Sequence, residues 1–150
     1  MNKQEFLEKL QNATGPDREL DLDFACTMLK NDKCTVYREN QTVTFYNDTS
    51  GVQIEAEIPY FTKDFDIVVG ILEQKFPNKE WLVRKTSDGK YFSNIFSNDD
   101  PSYILEPDSD IPQYGARAPT KELAIFTSLV KLLIKNADEE LSQQEDDVGV

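Results

Sequence analysis

The sequence contains no histidine, only two cysteines, and no apolar run long enough for a membrane helix. Without histidine, the chain cannot build a Ser-His-Asp or Cys-His catalytic group, or a metal site with histidine ligands. Two cysteines exclude a four-thiolate zinc site and the disulfide framework of a small secreted domain. A transmembrane helix needs about 20 predominantly apolar residues, so we expect no membrane-spanning segment.

Basic residues are scarce relative to acidic ones. The 150 residues include 16 Lys and Arg against 28 Asp and Glu, which gives a formal net charge of −12. This surplus argues against binding to DNA phosphates, and we expect no nucleic-acid partner. Six of the acids lie in residues 138–150, where no base occurs. We therefore predict one folded domain over residues 1–136 and a disordered acidic tail over residues 137–150.

The N-terminal residues do not have the pattern of a targeting segment. Residues 1–7 contain neither the unbroken apolar stretch nor the small-residue cleavage site of a signal peptide. We therefore expect a cytoplasmic protein in which Cys26 and Cys34 are reduced thiols.

Apolar periodicity and turn residues predict the secondary structure. Helices are expected to begin after Asn2, at Pro16, after the N-cap Thr62 and at Pro119, and the last helix is the most apolar. Strand-forming residues dominate five segments: residues 34–37, 42–46, 52–58, 81–84 and 91–96. Apolar and polar residues alternate over residues 52–58, as in a half-buried strand. The predicted fold class is α+β, with an antiparallel sheet of about five strands flanked by helices.

Two further local patterns carry a prediction. Asp88-Gly89 marks a hairpin whose turn positions both need positive φ. Residues 97–118 have no clean period and contain several prolines and acids, so we expect a long functional or disordered loop. Its acids are candidate Ca²⁺ or Mg²⁺ ligands, but their spacing does not fit an EF-hand loop, so solvated side chains are the better interpretation: Asp99, Asp100, Asp108 and Asp110.

Three sequence stretches together resemble a pattern found in a known protein family. They are ATGPDRELD at residues 13–21, PYFTKDFD at residues 59–66 and ARAPTKELA at residues 116–124, with a Trp81 strand and a Gly89 hairpin before the last stretch. This set and order resembles the small phage and prophage proteins of the phage α-β-α sandwich family. The similarity covers roughly residues 13–29 and 58–135, and residues 31–57 have no counterpart in it.

The resemblance implies a fold and a function. The family's fold is similar to that of the anti-Thoeris sponge proteins, which sequester cyclic ADP-ribose-type signals and, in some members, cyclic oligonucleotides. Those proteins hold the ligand between protomers with arginine, asparagine and aromatic side chains. The resemblance therefore implies a phage-encoded counter-defence protein that forms a homo-oligomer and binds a cyclic nucleotide-type signal without cleaving it. No enzymatic activity, cofactor or metal is expected.

Such a ligand needs guanidinium groups for its phosphates and an aromatic surface for its base. The candidate ligand-binding residues are Arg84, Tyr91, Phe92, Asn94, Asn98, Arg117 and Thr120. Arg84 and Arg117 would hold phosphates, and Thr120 stands where the amides of a helix start favour an anion. One of the two aromatic residues would stack on the base, and one of the two asparagines would read its polar edge.

Other interpretations of the same residues stay open. A residue such as Phe92 is more often part of the core than a stacking surface, and an arginine such as Arg84 is more often a solvated strand position or part of a cross-strand ion pair. Arg117 would instead pair with Asp108 or Asp110. A competing function is an acidic inhibitor that blocks a bacterial defence complex or nuclease by direct protein contact.

Overall fold

The structure is a computed structural model that describes residues 1–97 and 111–148, with the side chains of the last helix described as far as Glu139. The helices are α1 (Lys3–Gln11), α2 (Arg18–Phe24), α3 (Phe65–Lys75) and α4 (Lys121–Val148), and a π-helical turn, Ala25–Leu29, extends α2. The strands are β1 (Cys34–Tyr37), β2 (Thr42–Tyr46), β3 (Gln53–Glu57), β4 (Glu80–Lys85), β5 (Tyr91–Phe96) and β6 (Ala116–Ala118). The α+β class is confirmed.

The predicted single sheet of about five strands is wrong. The described strands form two antiparallel three-stranded sheets, in the orders β1-β2-β3 and β4-β5-β6. The first three strands pair with one another and with no strand of the second group. The strand that sequence reasoning missed is β6, which pairs with β5 inside the stretch predicted as a loop. Helices on both faces of a sheet, as the resemblance implies, stay a prediction.

Side chains at the helix starts satisfy backbone amides. The Asn2 side chain accepts a hydrogen bond from the Glu5 amide, which confirms the predicted start of α1. The start of α3 differs from the prediction, because Asp64 and not Thr62 caps this helix, with the Ile67 amide as donor. The Thr62 hydroxyl is used instead in a buried contact with Asp21.

The hairpin at Gly89 is confirmed, with one difference in its turn. Gly89 has a φ of 83°, whereas Asp88 is not among the residues with positive φ. The Gly89 amide donates to the Thr86 carbonyl, and the Thr86 amide donates to the Lys90 carbonyl. The connection is therefore longer than a two-residue turn, and only its glycine needs the left-handed conformation.

Helix α4 lies at the centre of the core. It packs against all three strands of the second sheet and against α1 and α3, which agrees with its apolar sequence. Four fully buried rings fill the space beside it: Phe6, Phe24, Phe61 and Phe126. The Phe24 ring centroid lies 4.6 Å from that of Phe61 and 4.9 Å from that of Phe126.

A small polar seam crosses the apolar contact between β5 and α4. The buried Ser93 hydroxyl donates a hydrogen bond of 2.6 Å to the Ala124 carbonyl. Because the Ser93 hydrogen is used in this bond, the buried Ser128 hydroxyl donates to the Ser93 oxygen, and both hydroxyls have a partner within the core.

Two arginines attach the first sheet to the helical body. Arg38 follows β1 and pairs with Asp23 and Glu19, each at 2.7 Å. Arg18 donates to the Ile58 carbonyl at 2.7 Å and lies 3.9 Å from the centroid of the Tyr60 ring. These contacts hold the segment after β1 and the segment after β3 against α2.

The strand predicted at residues 52–58 is confirmed as β3, but its predicted half-burial is wrong. All five residues of β3 are exposed, and Ile58, which follows the strand, is fully buried. The apolar side of β3 is therefore uncovered in the described structure.

Two predictions concern the C-terminal segment and membranes. The backbone of α4 continues as far as Val148, and the boundary of an acidic tail at residue 137 stays a prediction.

Within the described residues, none of the helices has the length and apolar character needed to cross a bilayer.

Candidate functional site

Pairing within the second sheet aligns three of the predicted site residues. Phe92 on β5 pairs with Arg84 on β4 and with Arg117 on β6. Directly paired residues point to the same face of a sheet, so the three side chains share one face. This alignment depends on β6, because Arg117 reaches its position only when its short strand joins the sheet.

This shared face is the one opposite α4. Ser93 and Ile95 alternate with Phe92 along β5 and lie in the core, where Ser93 bonds to α4. Because successive side chains of a strand point to opposite faces, Phe92, Asn94 and Phe96 project away from α4. We call this side the outer face of the second sheet, defined by Arg84, Phe92, Asn94, Phe96 and Arg117.

Asn94 is the most unusual residue of the outer face. Its side chain is 1% exposed, and neither its amide nitrogen nor its amide oxygen has a hydrogen-bond partner in the described structure. A buried polar group without a partner costs about 1–3 kcal/mol. The amide therefore offers one donor and one acceptor site that the protein itself leaves unused.

The two arginines of the outer face are both exposed. Arg117 forms none of the ion pairs found among the described residues. Asp108 and Asp110, the alternative partners considered for it, lie outside the described residues, as do Asp99 and Asp100. The Arg117 guanidinium group is therefore available to an anionic ligand.

Phe92 is 3% exposed, which agrees with the alternative interpretation of a core residue. Phe92 lies between the two arginines in the strand register, but its ring is buried and presents no open face. Stacking on a base therefore requires that the ring become uncovered.

The remaining predicted site residues do not join this group. Tyr91 pairs with Lys85 and Ala118, so it lies on the face toward α4, where it packs against the core. The Thr120 hydroxyl accepts a hydrogen bond of 3.1 Å from the Leu123 amide and thus caps α4. Asn98 lies outside the described residues.

Two of the familiar stretches meet in a buried hydrogen-bond network. The Asp21 carboxylate accepts hydrogen bonds from the Thr62 amide at 2.8 Å and the Thr62 hydroxyl at 2.9 Å. Burial raises the pKa of Asp21, although the Thr62 hydrogen bonds and the Arg18 charge act in the opposite direction. The Asp17 amide also donates to the Thr62 hydroxyl. The stretches at residues 13–21 and 59–66 therefore have a structural reason to occur together, which requires no ligand.

Sequence reasoning missed a cavity between the N-termini of α3 and α4. Its volume is about 430 Å³, and its lining residues are Tyr60, Lys63, Asp64, Phe65, Asp66, Lys121 and Glu122. The Lys121 amine lies 5.4 Å from the centroid of the Phe65 ring. Three acids oppose two lysines here, so the cavity does not favour a phosphate. The sequence feature that could have indicated this cavity is the presence of a helix start in each of two familiar stretches, residues 59–66 and 116–124.

Neither a metal nor a known relative identifies the site. Among the described residues, no group of three or more His, Cys, Asp or Glu side chains is placed to hold a metal ion. Comparison with known proteins gives no match to a protein-family model, to a curated protein or to a solved structure, so the family resemblance stays a prediction.

Proposed function

We propose that the protein binds a cyclic nucleotide-type immune signal, such as a cyclic ADP-ribose isomer or a cyclic oligonucleotide, on the outer face of the second sheet. It does not cleave the signal, and it acts as a phage counter-defence protein of the anti-Thoeris type in the bacterial cytoplasm. The observation that carries the proposal is the alignment of Arg84, Phe92 and Arg117 beside the buried, unpartnered amide of Asn94.

The spacing of the arginines suits a ligand with separated anionic groups. Arg84 and Arg117 lie on strands that flank β5, so their Cα atoms are roughly 10 Å apart. Long guanidinium side chains at this distance reach two phosphates of one ligand, and each group can form paired hydrogen bonds. Asn94 on β5 pairs with Leu82, and its buried amide must be uncovered, like the Phe92 ring, before it donates to and accepts from a base edge.

The arginines remain exposed in the single chain, and this supports a site that a second protomer completes. An exposed guanidinium group binds phosphate weakly, because water and salt screen its charge. A second chain over the outer face would exclude water and strengthen both contacts. The homo-oligomer is therefore part of the proposed function.

The acidic-inhibitor function has one observation in its favour. The first sheet exposes apolar side chains and two carboxylates, and the whole protein is acidic. Such a surface is suited to contact with a basic bacterial defence protein. The two functions differ in their ligands. Purified protein that binds no cyclic nucleotide from a broad panel would favour the inhibitor.

Reversal of the charge at Arg117 tests the proposed site. We expect Arg117→Glu to weaken binding of the signal at least about tenfold, since a hydrogen bond to a charged group contributes about 1.5–3 kcal/mol. The measurement is the thermal shift of the protein against cyclic ADP-ribose isomers and cyclic dinucleotides, followed by calorimetry on the ligand that binds.

The matched control for Arg117→Glu is Lys9→Glu, which makes the same charge change at an exposed position of α1. It should leave the affinity unchanged. Ligand released by heat from the complex should be chemically intact. Equal loss of affinity in both variants, or release of a cleaved product, would contradict the proposal.

Asn94 tests whether the buried amide serves the ligand or the fold. We expect Asn94→Leu to raise the free energy of unfolding by about 1 kcal/mol, because an unpartnered buried amide is replaced by an apolar side chain of similar size. The same change should weaken ligand binding. Chemical denaturation and calorimetry measure the two effects separately. A variant that loses stability and keeps its affinity would show that Asn94 has a structural role only.

A further inference from the structure

One side of β3 has no partner strand. β2 pairs with β3 on one side, and within residues 1–97 and 111–148 no strand pairs with the other side. The Asn47 amide donates to the Val52 carbonyl, and the Ile58 amide donates to the Gln41 carbonyl. Backbone bonding alternates along an antiparallel strand, so the amides and carbonyls of Gln53, Glu55 and Glu57 point outward from the sheet.

The opposite edge of the same sheet is partly closed. Cys34 on β1 exchanges backbone hydrogen bonds with Asn31, so its outward groups are already used. An exposed edge with free backbone groups is a template for another strand, and natural proteins normally protect it. In this sheet the turn before β1 protects one edge, and β3 is left open.

Apolar side chains lie next to the open edge. Phe45, Val52 and Ile54 are 44%, 51% and 58% exposed. Phe45 pairs directly with Ile54, and both lie on the same face as the buried Cys34. The apolar row Cys34–Phe45–Ile54 therefore starts in the core and ends at the edge without a cover.

We propose that β3 pairs antiparallel with β3 of a second copy of this chain, with Ile54 opposite Ile54 on the two-fold axis. The pair joins the two small sheets into one sheet of six strands. The apolar row then continues across the axis from one copy into the other. The inference rests on the first sheet alone and does not depend on the proposed ligand.

Charge selects this register over those displaced toward the C-terminal end of β3. With the axis at Ile54, the outward-bonding Gln53 faces Glu55 of the second copy, so an amide meets a carboxylate. With the axis at Glu55, the two Glu55 carboxylates oppose each other, and with the axis at Ala56, Glu55 opposes Glu57. Like charges directly opposite each other destabilise a strand pair. Only the first of these registers avoids them.

The expected dimer is weak. Pairing of two five-residue strands buries less surface than the roughly 1,200–2,000 Å² of a stable interface. The monomer and dimer should therefore exchange, and the dimer fraction should rise with protein concentration.

Sedimentation equilibrium of the full chain over a range of concentrations tests the interface. The unmodified protein should dimerise, and Ile54→Lys should abolish the dimer because two ammonium groups then meet on the axis. Ile111→Lys is the matched control, since Ile111 is also exposed, at 47%, and lies outside the first sheet. Circular dichroism establishes that both variants fold. A parent protein that is monomeric at every concentration would overturn the proposal.

Cross-linking tests the register. Ile54→Cys should form an intermolecular disulfide, because directly opposed residues that do not exchange backbone bonds lie within the Cα–Cα limit of about 7 Å. Tyr46→Cys, on the neighbouring strand β2 and away from the axis, should not. Equal cross-linking of both variants, or a dimer that persists in Ile54→Lys, would show that a different surface joins the two copies.

Discussion

Replacement of Phe24 by alanine is expected to lower the free energy of unfolding by about 3–5 kcal/mol. Small domains have only about 5–15 kcal/mol to lose, so the variant should be partly unfolded near its working temperature. Phe24 is fully buried, and its ring contacts those of Phe6, Phe61 and Phe126. Its removal leaves a cavity between α2 and α4 that neighbouring backbone cannot fill.

Chemical denaturation measures the effect of Phe24→Ala, and two variants serve as controls. Phe24→Leu keeps much of the buried volume and should cost less than half as much. Phe45→Ala removes the same side chain from an exposed position on β2 and should change stability by less than about 0.5 kcal/mol. Similar losses for Phe24→Ala and Phe45→Ala would mean that the ring cluster is not the centre of the core.

Asp21→Ala is expected to cost about 3 kcal/mol. The change removes the acceptor of the buried Thr62 amide and leaves that amide without a partner. Asp21→Asn keeps an acceptor oxygen and avoids burial of a charge, so it should cost much less. Thermal and chemical unfolding of the two variants separate loss of a hydrogen bond from loss of a charge.

The same carboxyl group predicts a pH dependence. Burial raises the pKa of Asp21 in the folded protein, so the folded state binds a proton more readily than the unfolded state. Between the raised pKa and the unfolded value of about 3.9, stability relative to Asp21→Asn should therefore increase as the pH falls. A relative loss of stability over this window would show that the folded state favours the charged form instead.

Local sequence signals predicted most elements of the fold. The Asn2 cap, the Gly89 hairpin and the apolar periodicity of α4 each act within one element, and each is confirmed. Thr62 is the instructive exception. Its hydroxyl has the chemistry of a cap, but a tertiary hydrogen bond to Asp21 takes it, and the cap moves to Asp64.

The division into two sheets depends on contacts that no local pattern encodes. The alternation at residues 52–58 correctly indicates a strand with one apolar face, but it does not say whether anything covers that face. Residues 116–118 are too short to carry a strand signal, and they form β6 only because β5 offers them an edge.

The candidate site was predictable only in part. Chemistry alone selects the arginines and Asn94, but their alignment requires β6. Tyr91 and Phe92 are neighbours on one strand, and strand geometry was sufficient to assign them to opposite faces. The burial of Phe92 and the unused amide of Asn94 arise from tertiary packing, which the sequence does not report.

The serine seam between β5 and α4 has a consequence for the choice among alternative packings. An apolar helix on an apolar sheet can slide by one turn, about 5.4 Å, and bury nearly the same area. Such a shift would separate Ser93 from the Ala124 carbonyl and from Ser128. The serine hydroxyls would then be buried without hydrogen-bond partners. The two serine hydroxyls therefore favour one axial position of α4 over positions shifted by a helical turn.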